Sequence, residues 1–174
     1  MRNMDKKLCV FRFAQAQVPV NLSELPFKPV KTVNEFIRGY KMHDIACQYI
    51  ESQYLRLGFT LYRLGVDLRG RRIMVKNELP DYLMERAYDV FCVDAKSKRS
   101  ISSFGKVNAR AVVSYLNLKR ECGVPVYLDF VRVHNGEVRE IGYSDVVAEP
   151  IQKNLEWNGN VVWVYKWERG LAKL

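Results

Sequence analysis

Residues 88–96, Tyr-Asp-Val-Phe-Cys-Val-Asp-Ala-Lys, constrain the fold more than any other stretch of this chain. Val90, Phe91, Cys92 and Val93 are consecutive, so an extended segment here is apolar on both faces. Such a strand belongs inside a sheet that is covered on both sides. Residues 106–122 follow, with Val107, Ala111, Tyr115, Leu118 and Cys122 at spacings of 4, 4, 3 and 4, the period of a helix with one apolar stripe. Gly123 ends that helix, and residues 124–133 (VPVYLDFVRV) read as another strand. A strand, a helix and a strand in this order can form a right-handed crossover between parallel neighbours. The expected fold is therefore α/β, three-layered, with a mixed central sheet flanked by helices.

The flanking segments fit around that unit. Residues 8–14 (LCVFRFA) read as a short strand. Residues 15–32 carry Pro19, Pro26 and Pro29 and are expected to be an extended arm. Over 33–57, Ile37, Tyr40, Cys47, Ile50, Tyr54 and Leu57 recur at helical spacing, and Gly58 stops the helix. Residues 59–64 alternate as a strand, 67–72 are a polar turn, 72–76 a second arm, and 80–84 a strand entered through Pro80 with a turn at 85–86. Asn135-Gly136 is a hairpin turn leading into 137–143, and Asn158-Gly159 precedes a strand at 161–166. One domain spans 1–174: an arm at 1–35, a core at 36–133, and hairpins at 134–174.

Charge narrows the partner. The chain has 28 Lys and Arg against 19 Asp and Glu, a net charge of +9. That excess points to a polyanion, nucleic acid before an anionic membrane surface. Cys47, Cys92 and Cys122 sit in apolar runs, where a free thiol acts as a small hydrophobe. No CxxC pair occurs, so a zinc-finger spacing is absent and an intracellular, reducing setting is expected. No apolar run reaches the ~18 residues of a membrane span.

Chemistry concentrates at the end of the central strand. Asp94 and Lys96 alternate onto one face at the rim of an apolar strand, a costly place for charges that bind nothing. Asp81 begins the preceding strand, and the intervening turn brings it towards Asp94. Two close carboxylates raise a pKa or demand a cation. Hard oxygen ligands, with the main-chain carbonyl of Ala95 as a further one, suit Mg²⁺ or Mn²⁺. A lysine beside them serves an attacking water or a phosphate.

Pro80-Asp81, twelve residues, then Asp94-Ala95-Lys96 resembles the PD-(D/E)xK motif of the restriction-endonuclease-like nuclease superfamily. The helix ending at Gly58, the strand bearing Arg63, and the helix and strand after the motif are similar to those of archaeal Holliday-junction resolvases and of related crenarchaeal virus nucleases. The likeness covers residues 36–133, a little over half of the chain. It implies that Asp81 and Asp94 hold the metal and that Lys96 is the catalytic lysine. It also implies an acid from the first helix. The family position falls near Cys47, a thiol and no ligand for such an ion. Asp44 and Glu51 lie about one turn to either side, with His43 adjacent; both acids stay open, and Glu51, flanked by Ile50 and Tyr54, is slightly favoured.

The cations continue the pattern. Residues 96–120 hold seven Lys or Arg and no acid. Lys98, Arg99, Ser102, Lys106 and Arg110 would meet phosphate oxygens after the motif, with Arg63, Arg71 and Arg72 as further contacts. Trp157, Trp163 and Trp167 are expected to close a core or a dimer interface rather than to stack on bases. The first expectation is thus a metal-dependent DNA endonuclease, structure-selective and acting on branched or junction DNA, a homodimer if the substrate is a junction. No membrane or small-molecule cofactor is implied. The alternatives are a non-catalytic nucleic-acid-binding protein on the same fold and, further off, an assembly protein using its aromatic hairpin.

Overall fold

Phe91 and Val93 point to one side of the central strand and Cys92 to the other, and each side has its own layer of helix. The computed structural model describes residues 2–15, 19–21, 33–64, 73–75 and 78–172. Its largest sheet joins β2 (Thr60–Arg63), β4 (Tyr82–Arg86), β5 (Asp89–Lys98), β7 (Val126–His134), β8 (Glu137–Asp145) and β11 (Glu168–Arg169), in the order β11-β8-β7-β5-β4-β2. β5 and β7 are parallel and every other neighbouring pair is antiparallel, so the sheet is mixed. The crossover between β5 and β7 contains α3 (Ala109–Cys122), closed by Gly123 at φ 63°, whose N–H reaches the Lys119 carbonyl.

α2 (Val33–Arg56) covers one face. Ala46, Ile50 and Tyr54, four residues apart, are fully buried against Phe91, Val93 and Val131. Full burial of a side chain such as Phe91 stabilises by roughly 1.5–3 kcal/mol. Tyr54, Phe59, Phe91 and Tyr127 pack mostly edge to face with centroids 5.3–5.8 Å apart. α1 (Asn3–Gln15) and α3 cover the other face over Leu83, Cys92, Leu128 and Phe130.

Several elements differ from the sequence expectation. Residues 8–14 are helical, within α1. A continuous apolar run fits strand or helix alike, and here Val10 and Phe13 are buried in one cluster with Tyr115, Leu118 and Cys122 of α3. Cys122 is not a free thiol: it is disulfide-bonded to Cys9 and joins α1 to α3. The cysteine pattern therefore no longer argues for a reducing compartment. The second helix begins at Ala109, not 106, because β6 (Phe104–Asn108) pairs with β10 (Asn160–Lys166), which also pairs with β9 (Gln152–Trp157). Gly105 lets β6 approach the Phe130 ring, which any Cβ there would overlap. The turn before β5 falls at Ala87-Tyr88, two residues later than expected, with Ala87 at φ 48°. The two expected arms meet: β1 (Pro19–Asn21) pairs with β3 (Ile73–Val75). The polar turn at 67–72 lies outside the described residues. Among the described residues no helix is long and apolar enough to cross a membrane.

Candidate active site

The register of β4 and β5 brings the acids together. Tyr82 stands opposite Val93. One step further out, Asp81 faces Asp94. The Ala95 N–H donates to Asp81 Oδ2 at 2.8 Å, and the Leu64 N–H donates to the Asp81 carbonyl at 2.9 Å, so both ends of Asp81 are held. What ties Ala95 to the site is thus its N–H.

Asp94 is 2% exposed. Lys96 Nζ lies 2.7 Å from Asp94 Oδ2, yet that oxygen has no properly directed hydrogen bond. Burial raises the Asp94 pKa to about 6; the Lys96 charge opposes the rise and the Asp81 charge adds to it. Burial also raises Asp81, against the pull of Lys96 and of the Ala95 N–H. The two carboxyl groups titrate as a pair. Burial pulls Lys96 down, but the charges of Asp94 and Asp81 overcome it and hold the amine protonated. The result is two acids and one ammonium at the mouth of a sheet, with Asp94 Oδ2 paired to Lys96 by charge but meeting no directed hydrogen bond among the described residues.

α2 meets this site with a different set of groups. Glu51 Oε1 accepts from Arg63 Nη2 at 2.7 Å, Arg63 Nε at 3.0 Å and Tyr82 Oη at 2.9 Å, so its carboxylate is already held by an exposed arginine and a tyrosine. Asp44 is half-buried one residue past His43. The α2 groups drawn up to Asp81 are His43 and Cys47: their ligand atoms and a carboxylate oxygen of Asp81 all lie within 4.8 Å of one another. Burial pushes the Cys47 thiol up to about 12, with the Asp81 charge adding.

The cationic residues divide. Lys98 donates to the Ser102 carbonyl and, at 2.8 Å, to the Phe104 carbonyl, and lies over Trp167, so it braces the turn between β5 and β6. Ser102 Oγ is 3.1 Å from Ser100 Oγ. Arg99 is exposed, its Nε 2.8 Å from Met42 Sδ, and lines a groove with Lys41, Ile45, Val133 and His134. Lys106 is exposed and lies over Trp157, 4.5 Å from the ring centre. Arg110 donates to Glu78 Oε1 at 2.8 Å. Arg71 and Arg72 lie outside the described residues. Trp163 packs on the core edge, and Trp167, beyond the hairpin, is buried and stacked on Phe130.

Sequence reasoning passed over three groups near this site. Glu78 adds its charge to Lys96 and Tyr115, and only its place three residues before Asp81 hinted at this. Tyr115, read as core, is buried and lies in the fields of Asp94 and Asp81. Asp129 on β7 pairs with Ala95 and is 1% exposed. Its Oδ2 accepts from Tyr54 Oη at 3.0 Å, Oδ1 meets no directed hydrogen bond among the described residues, and burial raises its pKa to about 7. An acid inside an apolar strand was the available signal.

The parallel β5-α3-β7 crossover, the antiparallel β4 and β2 beside it, and helices on both faces define a restriction-endonuclease-like fold. Among solved structures, the chain is similar to Hjc from Archaeoglobus fulgidus, a Holliday junction resolvase from an archaeal hyperthermophile. The TM-score is 0.52 and identity 11%, over 70% of this chain and 85% of that one. No family model matches the chain, and no curated protein matches its sequence.

Proposed function

We propose that this protein is a metal-dependent DNA endonuclease that hydrolyses phosphodiester bonds, selective for branched or junction DNA and working as a homodimer. The observation that carries the reading is the buried Asp94 oxygen, unpartnered by any directed hydrogen bond, facing Asp81 across the β4–β5 register beside Lys96. Carboxylate oxygens from two acids are hard donors that fit Mg²⁺ or Mn²⁺. Asp81 and Asp94 would hold it, and the ion would supply positive charge against a phosphate and a more acidic water.

The chain's own groups do the rest. The Ala95 N–H fixes the Asp81 carboxylate so that its position costs no rearrangement when DNA arrives. Lys96, partly exposed, keeps an ammonium at the rim, where charge builds on phosphate oxygens during in-line displacement. Arg99 and Lys106 offer exposed cations to the backbone on either side of the β5–β6 turn. A junction requires two cuts, and a second copy related by twofold symmetry supplies the second site.

The Lys96–Asp94 contact favours a second reading. If that ammonium alone neutralises Asp94, no cation is needed and the fold is a nucleic-acid-binding protein without cleavage. Incubation with branched, duplex and single-stranded DNA, with and without Mg²⁺ or Mn²⁺, separates the two. Metal-dependent cutting that disappears in Asp94→Ala, and in Lys96→Ala with binding retained, supports the nuclease. Binding indifferent to metal, with no cutting of any substrate, supports the second reading. Cutting by Lys96→Ala at the parent rate refutes the role given to Lys96.

A further inference from the structure

Asp81 stands between two donor sets of different chemistry. Towards Asp94 the donors are hard oxygens. Towards α2 they are an imidazole and a thiol, His43 and Cys47, one helical turn apart and therefore on one stripe. Cys47 Sγ lies 3.4 Å from His43 Nε2. Ligand atoms at metal distances of about 2.0–2.3 Å in a tetrahedron are roughly 3.5 Å apart, so this edge already has the spacing that a zinc-sized ion requires. A carboxylate oxygen of Asp81, whose position the Ala95 N–H holds, completes a trio within 4.8 Å. All three side chains are half-buried: shielded enough to hold an ion, open enough to admit one.

We propose that His43, Cys47 and Asp81 form a binding site for one borderline-soft transition-metal ion, Zn²⁺ by preference, with a fourth position open to solvent. Nitrogen and sulfur donors select this class of ion over Mg²⁺, and three protein ligands with one open place is the arrangement of a reactive rather than a purely structural site. On binding, the Cys47 Sγ–H proton leaves to solvent as the sulfur–metal bond forms. The site shares only Asp81 with the proposed nuclease centre and does not rest on that function.

Cobalt titration of the metal-stripped full chain tests it, without reductant so that the Cys9–Cys122 bond stays closed. One Co²⁺ per chain is expected, with a thiolate-to-cobalt charge-transfer band and the strong visible absorption of tetrahedral coordination, displaced by Zn²⁺ and not by Mg²⁺. Cys47→Ser and His43→Gln should abolish the band or weaken Zn²⁺ binding by about a hundredfold. Cys92→Ala and Asp94→Asn should retain it. No thiolate band in the parent, a band that survives Cys47→Ser, or one lost in Cys92→Ala overturns the proposal. Absence of the band in a protein that cuts DNA with Mg²⁺ removes this site and leaves the nuclease reading intact. A band in a protein that cuts nothing under any divalent ion establishes the site and removes that reading.

Discussion

Asp129 is a residue outside the candidate centre whose burial moves its titration towards neutral pH. Its carboxyl is almost wholly enclosed, and burial lifts its pKa to about 7 even though Tyr54 and the Ala172 backbone favour the charged form. A carboxyl raised above its unfolded pKa of about 3.9 binds its proton more tightly in the folded state. Its stabilising contribution is therefore complete below about pH 4 and is lost as pH rises through about 7. Three units correspond to an effect on the order of 4 kcal/mol. Asp129→Asn keeps an acceptor for Tyr54 and removes the titration. Thermal melts at about pH 5 and about pH 8 should show the parent losing stability over this range more steeply than the variant. Parallel curves would mean that Asp129 does not titrate there. The same residue shows where sequence reading stops: its neighbours in VPVYLDFVRV announce a strand, but the Tyr54 partner lies 75 positions away. Asp81 and Asp94 were legible because strand parity and one short turn fix their meeting. His43 and Cys47 share a stripe visible in the sequence, yet their approach to Asp81 depends on how α2 lies on the sheet.

At the scale of elements, α1 tests what secures a helix whose sequence reads equally as a strand. It is held by the buried Val10, by Lys7 paired with Glu85 at 2.9 Å, and by the disulfide from Cys9 to Cys122 across 113 residues. Closing a loop of about this length removes roughly 4–5 kcal/mol of unfolded-state entropy in the chain-entropy model. Cys9→Ser should lower the denaturation midpoint measured without reductant, and added reductant should lower the parent's to the same value. A variant as stable as the oxidised parent would show that packing alone holds α1. The strand β6 was hidden for a related reason. Val107 falls in phase with the stripe of α3, and only the long-range pairing with β10 reveals that it is buried from a strand instead. Local period identified the central strands, the crossover helix and both Asn-Gly hairpins. Contacts distant in sequence decided α1, β6 and the β1–β3 pair.

For the whole molecule, the three-layer plan followed from one apolar strand, one striped helix and one further strand, since few topologies satisfy that order. Net charge was equally plain in the sequence, but which cations remain available was not. Glu51 engages Arg63, Glu78 engages Arg110, and backbone carbonyls engage Lys98. Arg99 and Lys106 are the exposed members of the expected set that carry no acid partner among the described contacts. This bears directly on salt dependence. Each phosphate neutralised on duplex DNA adds about 0.9 to the slope of log affinity against log salt, and removing a phosphate-contacting cation takes about that much away. Replacing Arg99 and Lys106 by Ala together should therefore flatten the slope by about 2, weakening binding similarly for every DNA sequence. Replacing Arg63 and Arg110 should change it less, because their charges are already opposed by acids. Asp94→Asn should leave the slope unchanged. Fluorescence-anisotropy titrations across salt concentrations measure all four. An unaltered slope in the Arg99, Lys106 double variant would mean that DNA follows another face, and a large loss on removing Arg63 would place it beside Glu51 and the β2 edge.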